Sequence, residues 1–237
     1  MLRGINKEKI FKDQEDMQKF LQILIGLKKE SGLGIFGYCF MGNHIHLLLR
    51  EGEKALSETM RKLGSSYVLW YNQKHNRIGY LFQDRFKSEP VEDDAYFLTV
   101  LRYIHQNPLQ SGLVSTVDQY KWSSYQDYIS TSKITDTDFA LDILNPDRKK
   151  AIIQFVDFHN KKADDRCLDI DTTIRHSDEE ATEIIKNLCG IDKPSDLQKM
   201  EPQNMLALIR QLRHKYNLSI RQIERLTGID RNKVSRA

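Results

Sequence analysis

The spacing of apolar residues in the first part of the chain predicts a helix followed by two short strands. In residues 16–30 the apolar side chains lie three and four positions apart, which is typical of a helix, and Gly32 ends it. Residues 35–41 are almost wholly apolar and aromatic, as in a buried strand. Gly42-Asn43 then predicts a two-residue hairpin turn into a second, antiparallel strand.

Further segments extend this alternation. Helical spacing covers residues 56–76 and 95–106, and a strand is predicted between them at residues 79–88. Pro108 cannot donate a backbone hydrogen bond, so we expect the later helix to end before it. The resulting order predicts an α+β fold in which an antiparallel sheet carries its helices on one face.

The second half of the chain is organised differently. Residues 130–140 are polar and threonine-rich, which is typical of a linker, and a helix is predicted at residues 146–162. Short helical patterns follow at residues 178–189, 201–215, 219–227 and 230–236. We therefore divide the chain into a first domain at 1–129, a linker with a helix at 130–177 and a helical region at 178–237.

Composition and charge restrict the class of protein. The chain is 40% hydrophobic, and it contains neither a signal-peptide pattern nor an apolar run long enough to cross a membrane. Its three cysteines are widely spaced, which argues against a disulfide framework and favours a reducing cytoplasm. The net charge is +3, but residues 201–237 alone carry eight basic and three acidic side chains. This excess indicates either a nucleic-acid contact or a solvated helix face.

Two histidines begin the strand that follows the hairpin turn. His44 and His46 are two positions apart, so they project from the same face and have a spacing that suits one divalent metal ion. Arg50 returns to that face. The same pattern also occurs on a half-exposed polar strand face, so a metal site needs a third ligand.

Tyr103 and Asn107 lie four residues apart on a predicted helix and share one of its faces. A phenol is protonated at neutral pH, yet it can attack a phosphodiester when a metal ion polarises the phosphate. The alternative is that Tyr103 is a core aromatic residue and Asn107 a helix cap. His105 points away from this face, and we expect it to be structural.

Taken together, several segments of the chain resemble the single-tyrosine HUH transposases, and most closely the REP-associated tyrosine transposase group. The resemblance covers about the first 130 residues in family order. The segments that carry it are Arg3-Gly4-Ile5-Asn6, Gly42-Asn43-His44-Ile45-His46, residues 79–88, residues 103–108, Gly112-Leu113-Val114 and residues 121–125.

The resemblance implies a ferredoxin-like antiparallel sheet and an enzyme that cuts and rejoins single-stranded or hairpin DNA with Mg²⁺ or Mn²⁺. It places the paired metal ligands on His44 and His46, the nucleophile on Tyr103 and the third ligand on Asn107. The 5′ end of the cut DNA would remain on the tyrosine. The family pattern has residues before Arg3 that form the first strand, so we expect that strand to be short here.

Other residues are candidates for contacts with DNA. Arg50 shares the histidine face, and Arg85 and Lys87 alternate along the predicted strand at 79–88. Each could also be an ordinary surface charge.

Residues 218–234 resemble a helix-turn-helix. Ser219 and Gln222 form a capping box, and Gly228 supplies the turn. Near the start of the second helix, where base contacts are made, basic and amide side chains cluster. The candidate DNA-binding residues of this region are Arg221, Arg231, Asn232 and Lys233. The alternative is a small helical bundle that only packs.

We therefore interpret the sequence as a metal-dependent DNA transposase in the cytoplasm, associated with the nucleoid and without a membrane partner. Its C-terminal region would contact duplex DNA, and a homodimer is compatible with this interpretation. The rival hypothesis is a domesticated, catalytically silent DNA-binding regulator that uses the helix-turn-helix. A replication initiator or relaxase shares the chemistry but is usually longer.

Overall fold

The computed structural model describes residues 1–130, 134–161, 163, 167, 177–214, 216 and 218–236. The chain divides into two compact units, Met1–Leu168 and Asp169–Ala237. The elements of the first unit are β1 (Leu2–Arg3), α1 (Gln14–Ser31), β2 (Gly34–Met41), β3 (His44–Arg50), α2 (Leu56–Lys74), α3 (Asp94–Gln110), α4 (Tyr125–Ile129), α5 (Asp138–Leu144) and α6 (Arg148–Asn160). Those of the second unit are α7 (Asp178–Cys189), α8 (Pro202–His214), α9 (Ile220–Thr227) and α10 (Arg231–Arg236).

The three strands form one antiparallel sheet in the order β1-β3-β2. Met41 pairs with His44, so the turn between β2 and β3 has two residues, as predicted. β1 has two residues, as short as expected, and it places Arg3 opposite His44. The α+β class, with an antiparallel sheet followed by an all-helical region, is confirmed.

Residues 79–88 do not form the predicted regular strand. They run irregularly beside β1, with one isolated bridge between Gly4 and Phe82 and a hydrogen bond from Gln83 N–H to Arg3 O at 2.9 Å. The reason is that β1 offers an edge of only two residues. The segment nevertheless occupies the place of a fourth strand, so the order of elements follows the ferredoxin-like pattern.

Helices cover the sheet on both faces, so the prediction of helices on one face is wrong. Ile35, Phe40 and Ile45 pack into a core with α1 and α2, whereas Phe36 and Leu48 pack into a second core with α3, α5 and α6. β2 is buried along its whole length, which explains its nearly continuous apolar sequence. The second core places α3 against the face of β3 that carries the histidines.

α3 continues through Pro108 to Gln110, beyond the predicted end of the helix. A proline removes only the hydrogen bond that its own N–H would donate, and this one lies near the end of the helix. The next turn is closed by hydrogen bonds from Ser111 N–H to Asn107 O and from Leu113 N–H to Pro108 O. Asn107 is therefore helical, which keeps it on the same helix face as Tyr103.

The division between the two units differs from the predicted domain boundary after residue 129. Helices α5 and α6 supply buried side chains to the core shared with α3, among them Leu141 and Phe155. The predicted linker at 130–177 thus begins with structure that belongs to the first unit. Residues 168–176 lie outside the described residues.

In the second unit, α7 to α10 pack around their own apolar core. The predicted helices at 219–227 and 230–236 are found within one residue of their expected bounds. Gly228 separates them with a φ of 72°, a backbone conformation that glycine adopts without strain. Among the helices that the structure describes, none is both long and apolar enough to cross a membrane.

Candidate functional site: a histidine pair facing a tyrosine

The hairpin of β2 and β3 sets two histidine rings side by side. His44 and His46 lie on the face of β3 that is turned toward α3, and their ring centroids are 4.9 Å apart. His46 is only 4% exposed. The alternation of a strand therefore produces the predicted pair.

Helix α3 brings Tyr103 and Asn107 to this pair. The ring of Tyr103 meets that of His46 edge-on, with centroids 5.5 Å apart. The side chain of Asn107 lies beside His44 and is 8% exposed. Its Nδ2 donates to Tyr103 O at 3.1 Å, so the oxygen Oδ1 is the atom that it could offer to a cation. The structure thus brings all four predicted residues together.

Burial keeps both imidazoles neutral. It lowers the pKa of His44 to about 4, and the positive charge of Arg3 acts in the same direction, while Asn107 opposes them because its oxygen could accept a hydrogen bond from the charged ring. Burial, reinforced by His44, also lowers the pKa of His46 well below its usual value. Neutral imidazole is the form that binds a metal ion, so the rings are ready to act as ligands near neutral pH.

Asn43 fixes the orientation of His44, a role that the sequence did not reveal. Its Oδ1 lies 2.7 Å from His44 Nδ1, and its Nδ2 donates to Lys7 O at 3.2 Å. His44 therefore donates from Nδ1, which leaves Nε2 with the lone pair that a ligand needs. From the sequence alone, Asn43 was predicted only to form part of the hairpin turn.

We expect Asn43→Ala to weaken Mn²⁺ binding about tenfold or more, because the partner that selects the tautomer of His44 is lost. Asn43→Asp keeps an acceptor oxygen and should bind Mn²⁺ nearly as wild type does. Isothermal titration of both variants, with circular dichroism as a check on folding, makes the comparison. Wild-type affinity in Asn43→Ala would refute this role.

Arg3 is a second residue that the sequence did not single out beyond its place in a resembling segment. It is the cross-strand partner of His44, and directly opposed residues share a face of the sheet. Its Nε is buried and has no hydrogen-bond partner among the described residues. A half-buried cation with an unused donor beside the histidines is suited to a phosphate oxygen.

The donor set of His44, His46 and Asn107 fits a divalent cation. Two neutral imidazoles and one amide oxygen leave coordination positions for phosphate oxygens. A second group, Asp13, Asp16 and His75, also has its ligand atoms within 4.8 Å of one another. There, however, Lys74 Nζ already lies 2.8 Å from Asp13 and 2.9 Å from Asp16. The two carboxylates also form the capping box of α1, so we interpret this group as structural.

A buried polar chain holds α3 in place. His159 Nδ1–H donates to Phe155 O at 2.9 Å, His105 Nδ1–H donates to His159 Nε2 at 3.0 Å, and Ser124 Oγ–H donates to His105 Nε2 at 2.8 Å. Tyr38 N–H in turn donates to Ser124 Oγ at 2.9 Å. The chain ties α3 to β2 and α6 between the positions of Tyr103 and Asn107. His105 is thus structural, as expected.

Comparison with known proteins gives one family match. Residues 1–107 match the family model described as "Transposase IS200 like". This part of the chain is therefore similar to the IS200-like transposases. Among solved structures, the chain is similar to one entitled "Structure of the REP associates tyrosine transposase bound to a REP hairpin", with 18% identity, a TM-score of 0.45, and coverage of 58% of this chain and 84% of that one. The comparison with curated proteins found no match.

Within the first unit, Arg50 lies away from the histidine pair. It is four residues beyond His46, roughly 13 Å along the strand. Its guanidinium lies over the ring of Phe36, at 5.5 Å from the centroid, and lines a cleft of about 270 Å³. Glu92, Asp93 and Asp94 line the same cleft, so this location does not favour a phosphate.

Arg85 and Lys87 are exposed on the segment that runs beside β1, while Phe86 between them packs against the core. Lys87 N–H donates to Met1 O at 3.0 Å. The two cations are therefore exposed on the edge of the first unit next to β1, although the segment is not the regular strand on which their alternation was predicted.

In the second unit, the candidate residues Arg221, Arg231, Asn232 and Lys233 are all exposed, the first on α9 and the others on α10. Val234 of α10 is buried in the core of that unit. The short helix α10 thus presents Arg231, Asn232 and Lys233 to solvent.

Proposed function

We propose that the first unit cuts and rejoins single-stranded DNA by attack of Tyr103 on a phosphodiester. One observation carries the proposal: a half-buried tyrosine meets a pair of neutral histidines and an asparagine oxygen on one surface. The match of residues 1–107 to the IS200-like transposase model supports DNA processing, and this arrangement supports the chemistry.

In the proposed reaction, Tyr103 Oη forms a bond to phosphorus and the bond from phosphorus to the 3′ oxygen breaks. The phenol proton passes to solvent, and the leaving 3′ oxygen takes up a proton to become a hydroxyl. The 5′ end stays on the protein as a phosphotyrosine, which retains the phosphodiester for rejoining to another 3′ hydroxyl.

His44, His46 and Asn107 would hold Mg²⁺ or Mn²⁺, which would polarise the scissile phosphate and stabilise the charge that develops there. Asn43 and the hydrogen-bond chain through His105 keep these ligands and Tyr103 oriented. Arg3 is placed to bind a phosphate oxygen beside His44.

We further propose that the second unit binds duplex DNA through α10, which would keep the protein on chromosomal DNA. Three exposed residues of one helix support this: Arg231, Asn232 and Lys233. A regulator without catalysis would use the same surface, so the two hypotheses differ only in what the first unit does.

The test is to incubate the protein with hairpin-bearing single strands copied from palindromic repeats in the DNA that flanks its gene. With Mn²⁺ we expect a protein–DNA adduct that survives denaturing electrophoresis, and we expect its loss when EDTA removes the metal ion. Duplex binding without an adduct or a cut strand, under all these conditions, would contradict the proposed reaction and favour the silent regulator.

A further inference from the structure

A basic cleft of about 400 Å³ lies in the first unit, apart from the histidine pair. Tyr71 is buried at its base and donates from its hydroxyl to Lys9 O at 3.1 Å. The side chains around it are Glu8, Lys9, Lys12, Tyr71 and Arg77. Three of them are positive and one is negative, so the cleft has a formal excess of two positive charges.

Two of the three positive charges of the cleft have no carboxylate partner among the described residues. Arg77 pairs with Glu8 at 3.3 Å, whereas Lys9 and Lys12 are exposed and have no carboxylate within 4.0 Å among the described residues. Four other lysines of the unit, by contrast, form ion pairs: Lys28, Lys54, Lys62 and Lys74. Uncompensated cations on the wall of a cleft attract an anion.

Hydrogen bonds connect the segment that carries Lys9 and Lys12 to the turn before the histidine pair. Asn43 Nδ2 donates to Lys7 O at 3.2 Å, while its Oδ1 is bonded to His44. Ile10 N–H donates to Gly42 O at 2.9 Å. From residue 7 to residue 12 the chain can span at most about 18 Å. The lysines therefore lie within a few nucleotides of a phosphate bound at His44.

An exposed aromatic residue is hydrogen-bonded through its backbone to Arg77, which lines the cleft. Tyr80 is 84% exposed, and its carbonyl accepts a hydrogen bond from Arg77 Nη1 at 2.9 Å. The loop is also fixed by Asn72 Nδ2, which donates to Gly79 O at 2.9 Å, and by Ile5 N–H, which donates to Leu81 O at 3.0 Å. The ring is thus presented to solvent by a loop that is bonded on both sides.

We propose that this cleft binds single-stranded DNA next to the scissile phosphate. Lys9 and Lys12 hold its phosphates, and Tyr80 stacks on an unpaired base. The inference rests on the proposed function, because it adds a binding site for the strand that Tyr103 attacks. Cations that follow a backbone, combined with an aromatic ring for a base, are the usual elements of single-strand recognition.

A single strand explains the combination better than a duplex or an acidic protein. Bases in a duplex are stacked on each other, so an exposed tyrosine ring has no free base face to meet. An acidic peptide would use the lysines but would not need the ring. The test therefore measures the lysines and Tyr80 separately.

The experiment measures the affinity for a fluorescent oligo(dT) by anisotropy at several salt concentrations. All proteins carry Tyr103→Phe so that no covalent step interferes. We expect the double variant Lys9→Ala/Lys12→Ala to bind more weakly and to lower the slope of log K against log salt by about 1.4, because each phosphate contact on a single strand contributes about 0.7. The matched control is Lys149→Ala/Lys150→Ala, which removes two exposed lysines from α6 and should leave the slope unchanged.

For the ring, we expect Tyr80→Ala to lower oligo(dT) affinity roughly fivefold or more, and Tyr80→Phe to retain it. Neither change should affect affinity for a blunt duplex. An unchanged slope in the lysine variant, an equal loss on the duplex, or displacement of oligo(dT) by poly-glutamate at equal charge would overturn the proposal. Failure of the adduct assay would instead contradict the catalytic proposal, because binding is measured without cleavage.

Discussion

We expect Tyr103→Phe to abolish the protein–DNA adduct and to lower strand cleavage by at least about a thousandfold, because the proposed nucleophile is removed. The change removes only the phenol oxygen. The ring that meets His46 at 5.5 Å remains, so we expect folding and DNA affinity close to those of wild type.

The matched control for this variant is Tyr96→Phe. Tyr96 lies on the same helix two turns earlier, and its hydroxyl donates to Glu89 away from the histidines. It should form the adduct at the wild-type rate. Full adduct yield in Tyr103→Phe would disprove the assigned nucleophile, whatever the control shows.

His46→Ala has the second largest expected effect. It removes one of three proposed ligands, and we expect Mn²⁺ binding and cleavage to fall by about a hundredfold or more while affinity for hairpin DNA is retained. Since His46 is buried, thermal unfolding of the variant is measured as well, and His46→Gln provides a variant of more similar volume.

His75→Ala is the matched control, because it removes the histidine from the other cluster of potential ligands. We expect His75→Ala to bind Mn²⁺ and to cleave DNA as wild type does. Loss of Mn²⁺ binding in His75→Ala, with retention in His46→Ala, would assign the metal ion to the cluster of Asp13 and Asp16.

The sequence predicted the residues of the site better than their surroundings. The hairpin at Gly42-Asn43 and the alternation of β3 follow from local rules, so the position of His44 beside His46 was predictable. The helix position of Tyr103 and Asn107 was predictable for the same reason. That α3 faces the histidines depends on packing between distant segments, and it came from the family resemblance rather than from periodicity.

Several features could not be obtained from local sequence. The orientation of His44 depends on a hydrogen bond that exists only once the turn closes, so Asn43 carried no signal of its own. Pro108 predicted the end of a helix, but α3 continues past it, and backbone N–H groups of the following turn donate to the last carbonyl groups of the helix. Arg50 follows the alternation of β3, but it shares a cleft with acidic residues at the start of α3. The pattern of a strand does not reveal which side chains of a distant helix lie beside it.

The arrangement of the helices around the sheet could not be predicted from the spacing of apolar residues either. Both sets of helices have ordinary amphipathic patterns, and only the fully buried β2 distinguishes a sheet covered on two faces from one covered on one face. Helices α5 and α6 follow a polar segment that resembles a linker, although Leu141 and Phe155 belong to the core of the first unit.

Mapping the DNA attachment by mass spectrometry tests the central claim most directly. Trypsin cuts after Arg102 and Lys121, so the adduct peptide contains both Tyr103 and Tyr120. Fragmentation should place the nucleotide on Tyr103, since the hydroxyl of Tyr120 donates to Phe40 O and burial raises its pKa to about 12. A 5′-phosphate on Tyr103 is the predicted result. A nucleotide on any other residue, or cut DNA with no protein attached, would contradict the account.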